Sequence, residues 1–146
     1  MKPLQGVRIV SVEQFGAAPY GTMLLADLGA EVIKIENAAI DGDPARKTGP
    51  YFLGPNDSEY YQAFNTNKKS VAIDLRSDEG KAALNKLIET ADALVNNLRG
   101  DLPARMGLDY KTLASANPKL VCVHVSAYGR DNERASWPGY DYLMRA

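Results

Sequence analysis

Val7-Arg8-Ile9-Val10-Ser11-Val12-Glu13 and, after a short interval, Ala30-Glu31-Val32-Ile33-Lys34-Ile35-Glu36 are the two stretches that decide the fold. Both alternate in polarity and are rich in β-branched residues, so both read as strands. Between them Pro19 suits the first turn of a helix. Tyr20, Met23, Leu24 and Leu28 recur at helical spacing, and Gly29 can close the helix in the left-handed conformation. Strand, helix and strand within about thirty residues make a βαβ unit, whose crossover is right-handed and whose strands are parallel.

The pattern repeats downstream. Ser70-Val71-Ala72-Ile73-Asp74-Leu75 reads as a third strand. Ser77 can cap the following helix, with Asp78 and Glu79 at its positive end and Ala83, Leu84, Leu87 and Ile88 as its apolar face. Ala93–Asn96 is a short fourth strand. A helical turn over Leu102–Met106 ends at Gly107, and Asp109 can cap another helix through Ala114. Leu120–Ala127 is a fifth, largely apolar strand, as expected inside a parallel sheet covered on both faces. The order predicts a doubly wound, Rossmann-like α/β fold with a mostly parallel sheet and helices on both faces. Residues 37–59, with Gly42, Pro44, Gly49, Pro50, Gly54 and Pro55, read as a long irregular connection. Loops of that length in compact domains are functional or mobile.

Composition narrows the function classes. The 146 residues suffice for one domain with a core. Seventeen basic and eighteen acidic residues leave a formal charge of −1, without the basic excess of a nucleic-acid-binding domain. No apolar run approaches a membrane span of about 20 residues, and the N-terminus lacks the apolar core of a secretory signal. Cys122 is the single cysteine and forms no internal disulfide. A cytoplasmic protein is expected. The chain stops at Tyr140-Asp141-Tyr142-Leu143-Met144-Arg145-Ala146, inside a developing amphipathic segment without a capping signal, which reads as a truncation.

In an open α/β sheet, ligands bind beyond the C-terminal ends of the strands. The candidates are therefore Glu13–Ala17, Glu36-Asn37, Asp74-Leu75-Arg76, Asn97-Leu98-Arg99 and Ser126–Gly129. Gly16, Gly21 and Gly29 do not make the G-x-G-x-x-G fingerprint of dinucleotide sites. Small Gly16, Ala17 and Ala18 either pack the helix on the sheet or let a ligand approach the backbone. Arg76, Arg99 and Arg105 are either lone surface arginines or a set that binds phosphates by paired hydrogen bonds. Lys68-Lys69 reads as a solvated turn away from the ligand rim. His124 and Cys122 read as packing residues on one face of the last strand. Asp43 and Arg46 read as a turn with its own ion pair, or as part of the cleft lining. Asp141 is either a catalytic carboxylate or a helix cap. No grouping has metal-site spacing, and no nucleophile elbow is present.

Taken in order, several segments resemble the class III CoA-transferases, the group that includes formyl-CoA transferase, carnitine CoA-transferase and 2-methylacyl-CoA racemase. They are Leu4–Val10, Ala18-Pro19, Leu28–Glu36, Gly42-Asp43-Pro44-Ala45-Arg46, Phe64–Ser70, Ala91–Asn97, Arg105–Leu108, Asn117–Leu120 and Gly139-Tyr140-Asp141. The ordered set covers essentially the whole chain, although no single piece is diagnostic. It implies that residues 1–146 are the N-terminal, CoA-binding part of a larger domain. It also implies a homodimer of interlocked chains that acts on an acyl-CoA and a carboxylic acid. It further implies no tightly bound cofactor, with coenzyme A as a substrate. Carried over by position, the CoA contacts are Gln14, Phe15, Gly16, Ala17, Ile73, Asp74, Leu75, Arg76, Asn97, Leu98 and Arg105, with Tyr140 and Asp141 in the last segment.

Three departures matter. Asn37 stands where some members have a phosphate-binding arginine, and Gly16 stands where formyl-CoA transferase has glutamine. The nucleophilic aspartate of the family lies past the Gly-Tyr-Asp segment, so no catalytic residue is expected within the chain. The racemases use a histidine that aligns with Tyr140, and a phenol with a pKa of about 10 is a poor base for α-proton abstraction. A non-catalytic CoA- or nucleotide-binding module is the alternative outside enzymes.

Overall fold

The computed structural model describes residues 1–145. Its centre is a sheet of five strands that are parallel throughout, built from β1 (Arg8–Val12), β2 (Glu31–Glu36), β5 (Lys69–Ala72), β6 (Ala93–Asn96) and β7 (Val121–His124). The spatial order is β5-β2-β1-β6-β7, so β1 and β6 meet at the point where the winding reverses. The third strand ends sooner than the sequence predicts. Its track nevertheless continues, because the Ile73 amide donates to the Glu36 carbonyl.

Helices cover the sheet from two sides. On one face α1 (Ala17–Asp27) packs Ala18 and Ala26 against Ile9, Val32 and Val95. On the other, Leu84 and Ile88 of α3 (Asp78–Ile88) and Leu113 of α5 (Tyr110–Leu113) close over Val10, Ile35 and Leu94. Local signals set these boundaries. The Ser77 hydroxyl accepts the Gly80 amide, the Asp109 carboxylate accepts the Thr112 amide, and Gly29 takes φ +106° after α1. α4 (Leu102–Arg105) ends before Gly107, whose φ is +70°.

Two expectations change. The connection after β2 is built rather than irregular. It holds two short 3-10 turns, a small hairpin of β3 (Phe52–Gly54) with β4 (Asp57–Ser58), and α2 (Glu59–Asn65), capped by the Ser58 hydroxyl. β7, expected between two covered faces, is an edge strand. Val121, Val123 and Val125 are exposed, while Cys122 packs on the core from the opposite side. Apolar composition alone does not distinguish an edge strand with one bare face from a central one. α6 (Asp141–Met144) closes the described chain. Asp141 occupies its first turn and pairs with Arg145 at 3.0 Å rather than capping through its side chain. Ala146 lies outside the described residues.

Candidate functional site

The loops leaving β1, β2, β5 and β6 converge on a single cleft at the C-terminal edge of the sheet. The cleft is small, with a volume of about 80 Å³, and is open to solvent. Gln14 comes from the first loop, Asn37 from the second, Ile73 to Arg76 from the third and Leu98 from the fourth. Six of the residues singled out in the sequence, Gln14, Ile73, Asp74, Leu75, Arg76 and Leu98, therefore share this cleft.

The others lie at graded distances from it. Phe15, Gly16 and Ala17 carry the chain from Gln14 into α1. Phe15 is partly exposed and Gly16 is the N-cap. Asn97 grips the first loop, accepting the Gln14 amide at 2.9 Å and donating to the Gln14 carbonyl at 2.8 Å. Arg105 borders an adjoining depression together with Arg76, Lys81 and Leu75. Arg99 does not line it; Arg99 and Arg105 both pair with Asp101, at 3.3 and 3.2 Å. Tyr140 and Asp141 line neither cavity; the Tyr140 ring is stacked on Tyr142. Gly80 allows α3 to approach the third loop, because a Cβ there would lie 1.9 Å from the Asp74 carbonyl oxygen.

Beneath the cleft, on the α1 face of the sheet, lies a layer of buried ions that the sequence reading placed elsewhere. Lys34 and Asp43 form a pair whose side chains are both 0% exposed, at 2.5 Å, and Lys34 also donates to Asn65. Asp43 and Arg46 are therefore not each other's partner. Arg46 pairs with Glu36 at 2.7 Å and lies over the Tyr61 ring. The other reading of Asp43, as a residue of the cleft wall, fits its position. Lys68, expected in a solvated turn, is also buried. Its ammonium meets Glu13 at 2.9 Å and the Pro19 carbonyl at 2.8 Å, while Lys69 remains exposed and pairs with Glu31.

The electrostatics of this layer follow from burial and partner count. Burial alone would raise the Glu36 carboxyl. Hydrogen bonds from Arg46, Ser70, the Asp43 amide and Tyr61 outweigh it and hold the group down at about 2. Burial pushes the Tyr61 phenol up, and the adjacent Glu36 charge pushes in the same direction. Burial lowers the Lys68 ammonium against the pull of Glu13. His124 is lowered by burial and by Arg130, and its Nδ1 accepts from the Asn96 amide at 2.8 Å. That bond and the lowered basicity fit a satisfied packing residue.

Likeness to known proteins agrees with this geometry. Residues 4–146 match the model of CoA-transferase family III. The chain belongs to that family. It is 38% identical to the succinate–glutarate CoA-transferase of Agrobacterium fabrum, covering 98% of this chain and 37% of that protein. Against the human succinyl-CoA:glutarate CoA-transferase the identity is 36%, over 100% of this chain and 33% of the relative. A CAIB/BAIF family protein from Brucella suis superposes with a TM-score of 0.88 at 32% identity. The match covers 97% of this family III chain and 38% of the solved one. The chain thus spans little more than a third of the proteins it matches. Among the described residues no helix is long and apolar enough to cross a membrane, and no cluster of three or more His, Cys, Asp or Glu side chains can hold a metal ion.

Proposed function

We propose that this chain supplies the CoA-binding part of an enzyme that transfers coenzyme A from an acyl-CoA thioester to a free carboxylic acid. The observation that carries the reading is the convergence of Gln14, Leu75 and Leu98, from three different strand ends, on one cleft. A family III chain with that arrangement has a surface suited to an elongated carrier. The apolar floor of Ile73, Leu75 and Leu98 suits the flat adenine, and Arg76, Lys81 and Arg105 around the adjoining depression suit its phosphates. The first turn, where α1 begins, offers backbone N–H groups to an oxyanion.

In the whole enzyme, an aspartate carboxylate attacks the thioester carbonyl. The C–S bond breaks, releasing the CoA thiolate and leaving a mixed anhydride. The thiolate then attacks the aspartyl carbonyl and expels the donor acid, which gives an aspartyl-CoA thioester. The acceptor carboxylate attacks this thioester and expels the thiolate, forming a second anhydride; the thiolate then attacks the acceptor acyl carbonyl, which gives the new acyl-CoA and frees the aspartate. The nucleophile is not assigned to any residue of this chain. Cytoplasmic location and an interlocked homodimer belong to the same proposal.

Calorimetric titration of CoA into the chain tests the binding part. The expected result is saturable binding that weakens with added salt and loses about tenfold in affinity in Arg76→Ala/Arg105→Ala, two solvent-exposed ion pairs to the phosphates being removed. Undetectable binding, or binding indifferent to both arginines and salt, overturns it. For the reaction, protein that extends to the length of its relatives should move label from an acyl-CoA to a carboxylate. Exchange of only the α-hydrogen would instead assign the racemase chemistry.

A further inference from the structure

Phe15 follows Gln14 at the mouth of the cleft and adopts φ +60°, the left-handed region that a bulky side chain rarely occupies. A conformation of that cost persists only where the surroundings hold it. Three groups hold this turn. Asn97 grips both backbone polar atoms of Gln14. The Glu13 carboxylate, one residue earlier, accepts from Thr22 at 2.7 Å and from Lys68. The Phe15 amide itself donates to Asp43 Oδ1 at 3.3 Å, and this is the bond that acts on the strained residue directly.

Asp43 is well fitted to hold a backbone and poorly placed to touch a ligand. Its side chain is fully enclosed. Oδ1 also accepts the Ala45 amide at 2.9 Å, which locks the carboxylate to its own turn. Oδ2 faces the Lys34 ammonium, and the Asp43 amide donates to Glu36 Oε2 at 2.8 Å. The carboxylate is thus anchored on β2 from behind and directed at Phe15 in front.

We propose that Asp43, anchored by Lys34, is a positioning residue of the CoA site that holds Phe15 in its left-handed conformation. In that role it sets the direction in which Gly16 and Ala17 present their backbone N–H groups where α1 begins. The site role rests on the CoA reading above; the clamp itself does not.

The two functions of the carboxylate, neutralising Lys34 and accepting the Phe15 amide, can be separated by a pair of double variants. Lys34→Met/Asp43→Asn removes both charges and keeps an Oδ1 acceptor. Lys34→Met/Asp43→Ala removes both charges and the acceptor. Neither leaves an unpaired buried ion, and Asn65 Oδ1 keeps a donor in Lys68 at 3.2 Å. Amide hydrogen exchange at Phe15, Gly16 and Ala17 and the CoA dissociation constant are measured for both variants at a temperature where both are folded. The Asn variant is expected to match the wild type in both. The Ala variant is expected to exchange at Phe15 about tenfold faster and to bind CoA about five- to tenfold more weakly, the scale of one lost hydrogen bond. Equal exchange in the two variants, or unequal exchange with equal CoA affinity, overturns the proposal. If the wild type takes up no CoA the CoA reading falls, and the exchange contrast alone then decides whether Asp43 is the clamp.

Discussion

The two faces of the central sheet are built on opposite chemical plans. Toward α3 and α5 the interior is apolar apart from the Asn96–His124 pair at its C-terminal edge, with Val10, Leu94, Ile88 and Leu108 all at 0% exposure. Toward α1 and α2 the interior at the C-terminal edge holds Ser11, Glu13, Lys34, Glu36 and Asp43, all nearly inaccessible. Apolar packing is non-directional and tolerates adjustment, so it stabilises without fixing any one loop. Buried ions stabilise only in one geometry and are costly in every other. The face carrying the ions is the one that adjoins the first turn and the 42–46 loop. This domain thus places its directional, specificity-giving contacts where the loops must be held, while apolar packing supplies bulk stability on both faces.

The contrast can be broken most severely through Asp43. Asp43→Ala leaves the Lys34 ammonium buried without its counter-ion, and chemical denaturation should show a loss of about 3–5 kcal/mol. Adding Lys34→Met should restore most of that loss, because the stranded charge goes with it. Leu94→Ala, on the apolar face, should cost about 3–4 kcal/mol through lost burial and a cavity. No single polar substitution should rescue it, and the CoA affinity of the folded fraction should stay unchanged. The smallest effect concerns pH. Glu36 is depressed from the ordinary 4.5 to about 2, so its contribution is present above pH 4.5 and is lost as pH falls toward 2. By linkage that amounts to at most about 3 kcal/mol. Denaturation curves between pH 6 and pH 2 should flatten in Glu36→Gln and keep their slope in Leu94→Ala.

The legible part of this molecule was its local part. β1, β2 and the caps at Ser77 and Asp109 announce themselves within a few residues, because alternation and capping are short-range. The convergence of Gln14, Leu75 and Leu98 follows from a general property of parallel sheets and was expected on that ground. The ion layer was not legible. Lys34 sits in a strand that reads as ordinary alternation, and its partners Asp43 and Asn65 lie 9 and 31 residues away. Lys68 meets Glu13 across 55 residues, so a Lys-Lys dipeptide read locally as a turn. α2 has only seven residues, and the Ser58 cap and Glu59 in the first turn were the signals that could have revealed it. The bare face of β7 was hidden for a related reason, since composition records what a strand is made of and not what stands beside it.

The central position of β1 carries a consequence for how the chain is made. β2 can pair with it soon after emerging from the ribosome, but its other neighbour, β6, begins with the partners Ile9 and Ala93, which lie 84 residues apart. At a synthesis rate of about 5–20 residues per second, one side of β1 waits roughly 4–17 seconds for its mate. During that interval a β-branched strand presents unsatisfied backbone groups to the surroundings, and pairing with another nascent copy competes with completion of the fold.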